Sequence, residues 1–488
     1  MKGSGISYRS VFSILGRLLI AESALLLIPL TFEIFGDHSD LAGFLIAIGG
    51  ALATGLLLRM CQRRSRPRIR RREGFMLVSL AWVACSLFGM LPFIFGAHPL
   101  SVSDAFFETI SGFTTTGATT IADVEVLSPG LLLWRSMTQW LGGLGILLFM
   151  LAMLPTLNEK GGIPIYNSET TGITHNKIHP RIRQTAISLW SVYIILTILL
   201  TLLLWAGPMN FFDALCHSLS GISTGGFSTK NNSIAFWHSA YPGWVLTIFM
   251  FIGGVNFSLL YGLMRGRWRQ LWRNDVFRAY LLIVGLSYLA LLITLVLEDR
   301  IHSFGDALLV PIFHVVSSVT STGYSLSDYA SWGPFAMLLT MLLMIVGACA
   351  GSTTGALKID RMVALRKNLG NAIKLALYPK RIFVVRVNGN VIPHFDLTRI
   401  TAFVTIYVLL IVAGALATSA FGVSIEDSFF ASISCIGNNG LGFGLTGAAG
   451  GFGLLPDAVK WLMSAMMLIG RLELFSVLVM ILPIFWQK

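Results

Sequence analysis

The chain has 488 residues, of which 55% are hydrophobic and 12% are charged, and it carries a formal net charge of +12. Soluble domains usually carry about 25% charged residues, so this composition excludes an ordinary soluble protein. The basic residues are concentrated in a few connections between apolar runs, which the positive-inside rule assigns to the cytoplasm. Topology therefore explains the charge better than a nucleic-acid partner does.

Two apolar segments, near 12–35 and 41–60, begin the chain and precede an arginine-rich connection. The first is too long for the hydrophobic region of a signal peptide and has no small-residue cleavage site, so we expect a retained helix. Residues 1–72 are predicted to form two N-terminal transmembrane helices and a basic loop.

One pattern then occurs four times: a spanning helix, a short segment led by Asp, a polar loop with a central glycine, and a second helix that begins at a proline. The predicted repeats are 73–156, 157–266, 267–386 and 387–488. The second helices are expected to run from Pro129 to about 154, Pro242 to about 264, Pro334 to about 357, and Pro456 to about 485. The predicted fold is an all-α polytopic membrane protein with four helix–pore loop–helix repeats in a pseudo-fourfold arrangement, plus the two N-terminal transmembrane helices.

The short segments are predicted to be pore helices. Their leading aspartates are expected to be N-caps, which accept hydrogen bonds from unpaired backbone N–H groups; they are Asp104, Asp213, Asp306 and Asp427. Asp lies 13 residues before the loop glycine in three repeats (117 − 104, 226 − 213, 440 − 427) and 17 in the third (323 − 306), which predicts one extra helical turn there. The partially negative C-terminal end of each pore helix favours a cation.

The four polar loops supply hydroxyl and carbonyl oxygens, which replace water around monovalent cations. Their candidate ion-binding residues are Thr115, Thr116, Ser223, Thr224, Gly225, Thr320, Ser321, Thr322, Asn438 and Asn439, with the loop glycines Gly117, Gly226, Gly323 and Gly440. No acidic residue lies within them, which argues against a calcium or magnesium site. A single Thr/Gly loop would fit a re-entrant turn better, but four such loops between capped helices and Pro-led spans favour a pore.

On these motifs the sequence resembles the membrane subunit of the Trk/Ktr/HKT potassium transporters, most closely the TrkH/TrkG type with two additional N-terminal helices. The segments that carry the resemblance are 112–119, 251–257, 347–355 and 470–473, within four pore-loop units. In that family a glycine at the position of Gly117 accompanies potassium preference, whereas serine accompanies sodium permeation. The fourth loop departs from the first because Asn438 and Asn439 replace its threonines.

The run 347–355 predicts an interruption of the third repeat's second helix, because its glycines are poor helix formers. The residues alone also permit close packing of a neighbouring helix, and the resemblance implies an intramembrane gating loop. The gating candidates are Gly347, Gly351, Ser352, Thr353, Thr354, Gly355 and Arg471. A mid-span arginine such as Arg471 usually faces protein or a cavity; the resemblance makes it a barrier to cations near the gating loop, and a structural ion pair is the alternative. Glu473 is considered as its partner, although residues two apart on a helix face different ways.

Other polar residues are expected to be structural. His217 and His314 in the pore helices are predicted to be packed, hydrogen-bonded residues rather than pH sensors. The five scattered cysteines lack zinc-site spacing and are predicted to be buried free thiols.

The resemblance implies potassium uptake across the bacterial inner membrane, with K⁺ as the transported ion and no covalent cofactor. A sodium-permeable or sodium/proton-coupled transporter of the same fold is the alternative. We find no phosphate-binding loop and no catalytic cluster, so the chain is not expected to be an enzyme. The resemblance also implies a cytoplasmic TrkA-type nucleotide-binding subunit, with docking candidates at the basic faces 156–183 and 358–386, and a homodimer. Contact of the same basic faces with membrane lipid is equally consistent with the residues.

Overall fold

The structure is a computed structural model that describes residues 6–36, 38–60, 70–145, 182–301, 303–447 and 451–487. The N-terminal helices are Tyr8–Leu25 with its continuation Leu27–Phe35, and Leu41–Met60. They cross where Gly16 and Gly55 lie against each other's main chain, and a Cβ on either glycine would come closer than 3.0 Å to the partner's carbonyl oxygen. Such small-residue crossings are typical of membrane helix pairs. Glu33 then docks this unit on the first repeat by accepting a hydrogen bond from Gly130 N at 2.9 Å.

Each repeat begins with a long apolar helix. These first helices are Arg71–Gly89 followed by Leu91–Ile94, Ile182–Trp205, Asp275–Leu297 and His394–Ser419. Within the described residues, six helices are long and apolar enough to cross a membrane, and eight if two sharply bent helix pairs each count as one span. Only 28% of the most apolar stretch of Leu41–Met60, and 28% of that of Asp275–Leu297, is buried in the protein. The exposed apolar surface therefore faces lipid.

Four pore helices follow the first helices. They are Val102–Phe113, Phe211–Ile222, Phe304–Val319 and Ile425–Gly437, with 12, 12, 16 and 13 residues. At 1.5 Å per residue, none is long enough to cross a bilayer. The extra turn predicted for the third repeat is confirmed.

The predicted N-caps are wrong by three residues. The side chains that cap the pore helices belong to Ser101, Asn210, Ser303 and Ser424. The aspartates occupy the third helical position, where their carboxylates still favour the positive helix end. Three of them also bond back to the cap: Ser101 Oγ to Asp104, Asn210 Nδ2 to Asp213 and Ser424 Oγ to Asp427, at 2.7, 2.9 and 2.8 Å.

The second helix of every repeat is shorter than predicted. These helices are Pro129–Gly143, Ala240–Gly253, Pro334–Val346 and Asp457–Arg471. The sequence predicted an interruption in the third repeat only, yet the second breaks before Phe257–Met264 with a bend of 105°, and the fourth breaks before Phe475–Ile481 with a bend of 116°. The first helix ends at Gly143, and its predicted continuation from 146 to 154 lies outside the described residues, as does the basic segment 156–181. A glycine stands at or beside each break, and Gly142 and Gly470 admit pore-helix carbonyl oxygens of Phe113 and Ile436 closer than 3.0 Å to where a Cβ would be.

The remaining elements lie at the opposite side from the pore-helix N-termini. They are the helices Trp268–Arg273, Ile359–Leu377 and Pro483–Trp486 and an antiparallel hairpin of Arg386–Val387 with Asn390–Val391. Lys367 Nζ joins two of these parts by contacting Asp275 Oδ2 and Arg386 O, both at 2.8 Å. We call this the basic side and the opposite one the pore-helix side.

Candidate ion pathway

The four polar loops share one backbone conformation. Each loop glycine has a positive φ: 81° at Gly117, 82° at Gly226, 87° at Gly323 and 79° at Gly440. The residue two positions earlier is also left-handed although it carries a side chain, with φ of 56° at Thr115, 54° at Thr224, 51° at Ser321 and 51° at Asn438. Such residues are uncommon outside glycine. Because left-handed residues alternate with the ordinary kind, consecutive carbonyl groups turn to the same side of the loop instead of to opposite sides.

The loops close into a ring, which we call the loop ring. A Cβ on Gly117 would lie closer than 3.0 Å to the carbonyl oxygen of Gly225, and one on Gly226 to that of Thr322. The same holds for Gly323 with Asn439 O and for Gly440 with Thr116 O, so that the fourth loop returns to the first. Each junction thus joins a loop glycine to the carbonyl of the residue that precedes the next loop glycine. Glycine is required at all four junctions because any side chain would displace a carbonyl oxygen.

A serine six residues before each loop glycine anchors each loop on its pore helix. Its carbonyl oxygen accepts a hydrogen bond from the residue just before the glycine: Thr116 N to Ser111 O, Gly225 N to Ser220 O, Thr322 N to Ser317 O and Asn439 N to Ser434 O, at 2.9, 2.8, 2.9 and 3.0 Å. The sequence analysis missed these four serines. Their signal was present, because an alignment of the repeats on the loop glycines places Ser at this position every time.

A small cavity opens from the ring toward the pore-helix side. Its volume is about 140 Å³, and all four loop glycines line it. These glycines are half-buried, whereas the three residues before each of them are buried. The ring therefore lies at the bottom of an open vestibule.

The four loops are not chemically equivalent. Gln139 holds the second loop with two hydrogen bonds, donating to Gly225 O at 2.7 Å and accepting from Phe227 N at 3.1 Å. In the fourth loop Asn438 Nδ2 donates to Thr116 Oγ1 at 3.0 Å, and Asn439 Nδ2 donates to Ser318 O at 2.7 Å. The asparagine amides thus tie the fourth loop to both of its neighbours in the ring.

The segment from Gly347 to Lys358, which we call the intramembrane loop, lies under the ring on the basic side. Four of its residues have positive φ: Gly347, Gly351, Ala356 and Lys358. The loop touches three of the four ring loops at their left-handed residue. Thr353 Oγ1 lies 3.2 Å from Thr224 Oγ1, and Gly355 N donates to Ser321 Oγ at 2.8 Å. At Gly355 a Cβ would lie closer than 3.0 Å to Gly437 O and to Asn438 Cβ.

The fourth left-handed position differs from the other three. The hydroxyl of Thr115 is buried and has no hydrogen-bond partner among the described residues. The intramembrane loop is held instead by the break in the second repeat, where Asn256 Nδ2 donates to Ala350 O at 2.6 Å and Cys349 N donates to Gly254 O at 3.1 Å. The loop therefore bridges the breaks of two second helices.

Arg471 ties the intramembrane loop to the first repeat. Its Nη1 donates to Thr353 O at 2.8 Å, and its Nη2 donates to Gly142 O and Gly143 O at 2.6 and 2.8 Å. These carbonyls are free to accept because the helix of the first repeat ends there. The guanidinium thus lies beside the intramembrane loop, and the break in the fourth helix positions it.

Glu473 does not pair with Arg471. It forms an ion pair with Arg361, whose side chain is buried. The reason is local: Glu473 and Leu474 both have positive φ, so the chain turns away from the helix that carries Arg471. Arg361 also donates to Leu357 O at 3.0 Å, which places this pair at the end of the intramembrane loop.

The remaining polar candidates are structural, as predicted. His217 and His314 are buried, and their ring nitrogens lie within 3.4 Å of polar partners in or beside the loops. Cys85, Cys216, Cys349 and Cys435 are buried free thiols, and Cys61 lies outside the described residues.

A helical membrane protein with four short pore helices around a closed ring of loops belongs to the pore-loop class of transport proteins rather than to the enzymes. The TrkH family, described as "Cation transport protein", matches residues 43–487, and the chain belongs to this family.

Relatives match over nearly the full length. The Trk system potassium uptake protein TrkH of Salmonella typhimurium is 37% identical over 489 residues, covering 99% of this chain and 100% of that protein. The Trk system potassium uptake protein TrkG of Escherichia coli is 31% identical over 482 residues, covering 98% and 99%. The crystal structure of the potassium transporter TrkH from Vibrio parahaemolyticus has a TM-score of 0.90 at 30% identity, covering 99% of this chain and 100% of that one. The similarity therefore includes the loops as well as the spans.

Proposed function

We propose that the chain takes up potassium across the bacterial inner membrane and that the loop ring is its selectivity filter. One observation carries the proposal: a carbonyl oxygen lies at each of the four junctions between neighbouring loops, and the ring they form closes on itself. Rings of main-chain carbonyls replace the hydration shell of K⁺. The names of the relatives, potassium uptake proteins, agree with this chemistry.

The direction of the pathway follows from charge. The basic side carries the exposed arginines and lysines of the segments 265–273 and 366–381, and cytoplasmic connections are the ones rich in such residues. The pore-helix side is then external, and the vestibule above the loop glycines receives the ion. The C-terminal ends of the four pore helices, with their partial negative charge, stabilise it there.

The intramembrane loop and Arg471 form the gate in this proposal. The loop lies directly under the ring and contacts three of its four loops, and the guanidinium adds a positive charge beside it. A cation leaving the ring toward the cytoplasm meets both. Conduction then requires that the Arg471 hydrogen bonds to Thr353 and to the first repeat be broken.

A cytoplasmic nucleotide-binding subunit of TrkA type supplies the signal that opens the gate. Its candidate docking surface is the exposed basic end of Ile359–Leu377, since this helix continues directly from the intramembrane loop. Beside it, a cavity of about 540 Å³ is lined by Arg366, Lys367, Lys374 and Arg386. The second candidate, at 156–183, lies almost entirely outside the described residues. Homodimerisation is part of the proposal on family resemblance alone.

The test is rescue of a bacterium that lacks its own potassium-uptake systems, at low external potassium, with and without a co-expressed cytoplasmic subunit. We expect growth and rubidium or potassium influx with the chain, and loss of both with Gly226→Ala, whose Cβ would collide with Thr322 O. Gly285→Ala is the matched control, because no atom lies within 4 Å of its Cβ position. Absence of influx in membranes that contain the folded protein contradicts the proposal, and sodium influx that excess potassium does not suppress favours the sodium transporter instead.

A further inference from the structure

A second repeated position, nine residues before each loop glycine, acts on the vestibule wall. It is occupied by Glu108, His217, His314 and Ala431 (117 − 108, 226 − 217, 323 − 314, 440 − 431). In three repeats this side chain reaches from the pore helix to the residues just after the loop glycine. Glu108 accepts from Thr120 N at 3.0 Å, His217 Nε2 lies 3.0 Å from Ser228 Oγ, and Leu326 N donates to His314 Nε2 at 3.3 Å.

The fourth repeat has no such strut, because Ala431 has no polar atom. There the segment after the glycine is held from the neighbouring repeat, as Tyr329 Oη donates to Gly442 O at 2.8 Å. The position is therefore a support for the outer end of each loop, and the first repeat is unusual in using a charged group for it.

The carboxylate of Glu108 is neutralised by Arg135 from the first repeat's second helix. Nε and Nη2 of Arg135 both lie 2.8 Å from Oε1 of Glu108, and the two side chains are 3% and 0% exposed. The Thr119 hydroxyl lies between them, 3.0 Å from Glu108 Oε2 and 3.3 Å from Arg135 Nη2. A buried pair with both charges satisfied has no net charge to attract or repel K⁺, so its effect must be geometric.

Arg135 also contacts the second loop. Its Nη1 donates to Ser228 O at 3.2 Å, and its guanidinium carbon lies 4.2 Å from the centre of the Phe227 ring. One helical turn further on, Gln139 holds Gly225 O and Phe227 N of the same loop. Glu108, Arg135 and Gln139 thus connect the first and second loops along the whole depth of the ring junction where Gly117 meets Gly225.

We propose that the Glu108–Arg135 pair, with Gln139, positions the first two ring loops and thereby sets the discrimination of K⁺ from other cations. This proposal rests on the proposed function. The chain contains charged groups in the vestibule wall that touch no transported ion but fix the distance between two loops that do. Ion selectivity by a carbonyl ring depends on the number and the spacing of its oxygens, so a looser junction admits Na⁺.

The test compares the K⁺/Na⁺ influx ratio of the full chain with that of three variants in the same uptake-deficient bacterium. Arg135→Lys keeps the charge opposite Glu108 but loses the planar fork that also reaches Ser228. Thr119→Val removes the bridging hydroxyl with little change of volume. We expect the ratio to fall in both, by roughly a factor of ten in Arg135→Lys, the ratio that corresponds to about 1.4 kcal/mol.

Lys460→Gln is the matched control. It removes a different ion pair from the same pore helix, since Lys460 Nζ lies 2.6 Å from Asp104 Oδ1, and Lys460 contacts no ring loop. We expect lower thermal stability and an unchanged influx ratio.

A wild-type ratio in both Arg135→Lys and Thr119→Val would overturn the proposal, and so would an equal fall in Lys460→Gln, which would reduce the effect to general destabilisation. If Arg135→Lys fails to reach the membrane, Thr119→Val decides. Failure of the proposed function is distinct, because the unmodified chain then transports no K⁺.

Discussion

Gly440 of the fourth loop packs against the main-chain carbonyl oxygen of Thr116 in the first loop, 324 residues earlier in the chain (440 − 116). This contact closes the loop ring, because the other three junctions join loops that follow one another in sequence. A hydrogen bond from Asn438 to Thr116 Oγ1 supports the same junction. The first loop is thus held from both sides, by the fourth loop at Thr116 and by the second at Gly117.

Replacement of Gly117 by serine is expected to lower the preference for K⁺. The serine Cβ would be strained at a φ of 81° and would displace Gly225 O, which also loses its alignment with Gln139. A non-glycine residue in such a conformation costs roughly 1–3 kcal/mol. Competition of Na⁺ with K⁺ influx measures the change. Gly285→Ser is the control, since it adds the same atoms in open space within a span; equal selectivity in the two variants would contradict the role given to Gly117.

Removal of residues 348–354 is expected to raise basal potassium flux in the absence of any cytoplasmic partner. The intramembrane loop contacts three ring loops from below, and no other described segment donates a hydrogen bond to Ser321 Oγ. Flux into cells or proteoliposomes, normalised to folded protein by size-exclusion profile, measures the change. Unchanged or lost flux in a well-folded protein argues for a purely structural loop.

Two substitutions at Arg471 separate a charge barrier from a latch. Arg471→Ala removes both the positive charge and the hydrogen bonds to Thr353, Gly142 and Gly143, so flux should rise. Arg471→Lys keeps the charge but cannot reach all three carbonyls at once. High flux in the lysine variant identifies the hydrogen bonds as the closing element, whereas flux as low as in the unmodified chain identifies the charge. Arg361→Lys is a control for buried arginine loss nearby, and a rise in flux there as well would mean that the effect is not specific to Arg471.

Two Gly→Ala substitutions are expected to change stability in opposite directions. At Gly142 the added Cβ would collide with Phe113 O at the end of the first pore helix, so the melting temperature in detergent should fall. At Gly370, within Ile359–Leu377, no atom lies within 4 Å of the Cβ position, and alanine should stabilise the helix by up to about 1 kcal/mol. Stabilisation of both variants would show that the helix break at Gly143 does not require close approach of the pore helix.

Much of the architecture could be predicted from the sequence because it depends on local pattern. Apolar length predicted the spans, and the recurrence of Thr, Ser and Gly with a fixed distance from Asp identified the four pore loops, including the longer third pore helix. The same local reasoning placed the N-cap three residues late, since Asp is favourable both at the cap and at the third helical position. The serine or asparagine before it was the competing candidate.

Other features depend on contacts between repeats and were decided by tertiary structure. The first, second and fourth second helices are apolar enough to continue as predicted, but they end where they meet the C-terminal ends of the pore helices. The pairing of Glu473 with Arg361 rather than Arg471 depends on a turn with two left-handed residues that no local motif announces. The Glu108–Arg135 pair joins residues on different helices, and its two charges are unremarkable in sequence.

The sequence by itself determined the membrane location, the four-repeat plan and the residues of the loop ring, because hydrophobic length and internal repetition are visible without coordinates. Only the tertiary structure decided which carbonyl faces which glycine, where the second helices break and what holds the intramembrane loop. These are relations between segments about a hundred or more residues apart in the chain, and steric contact between backbones, rather than residue preference, settles them.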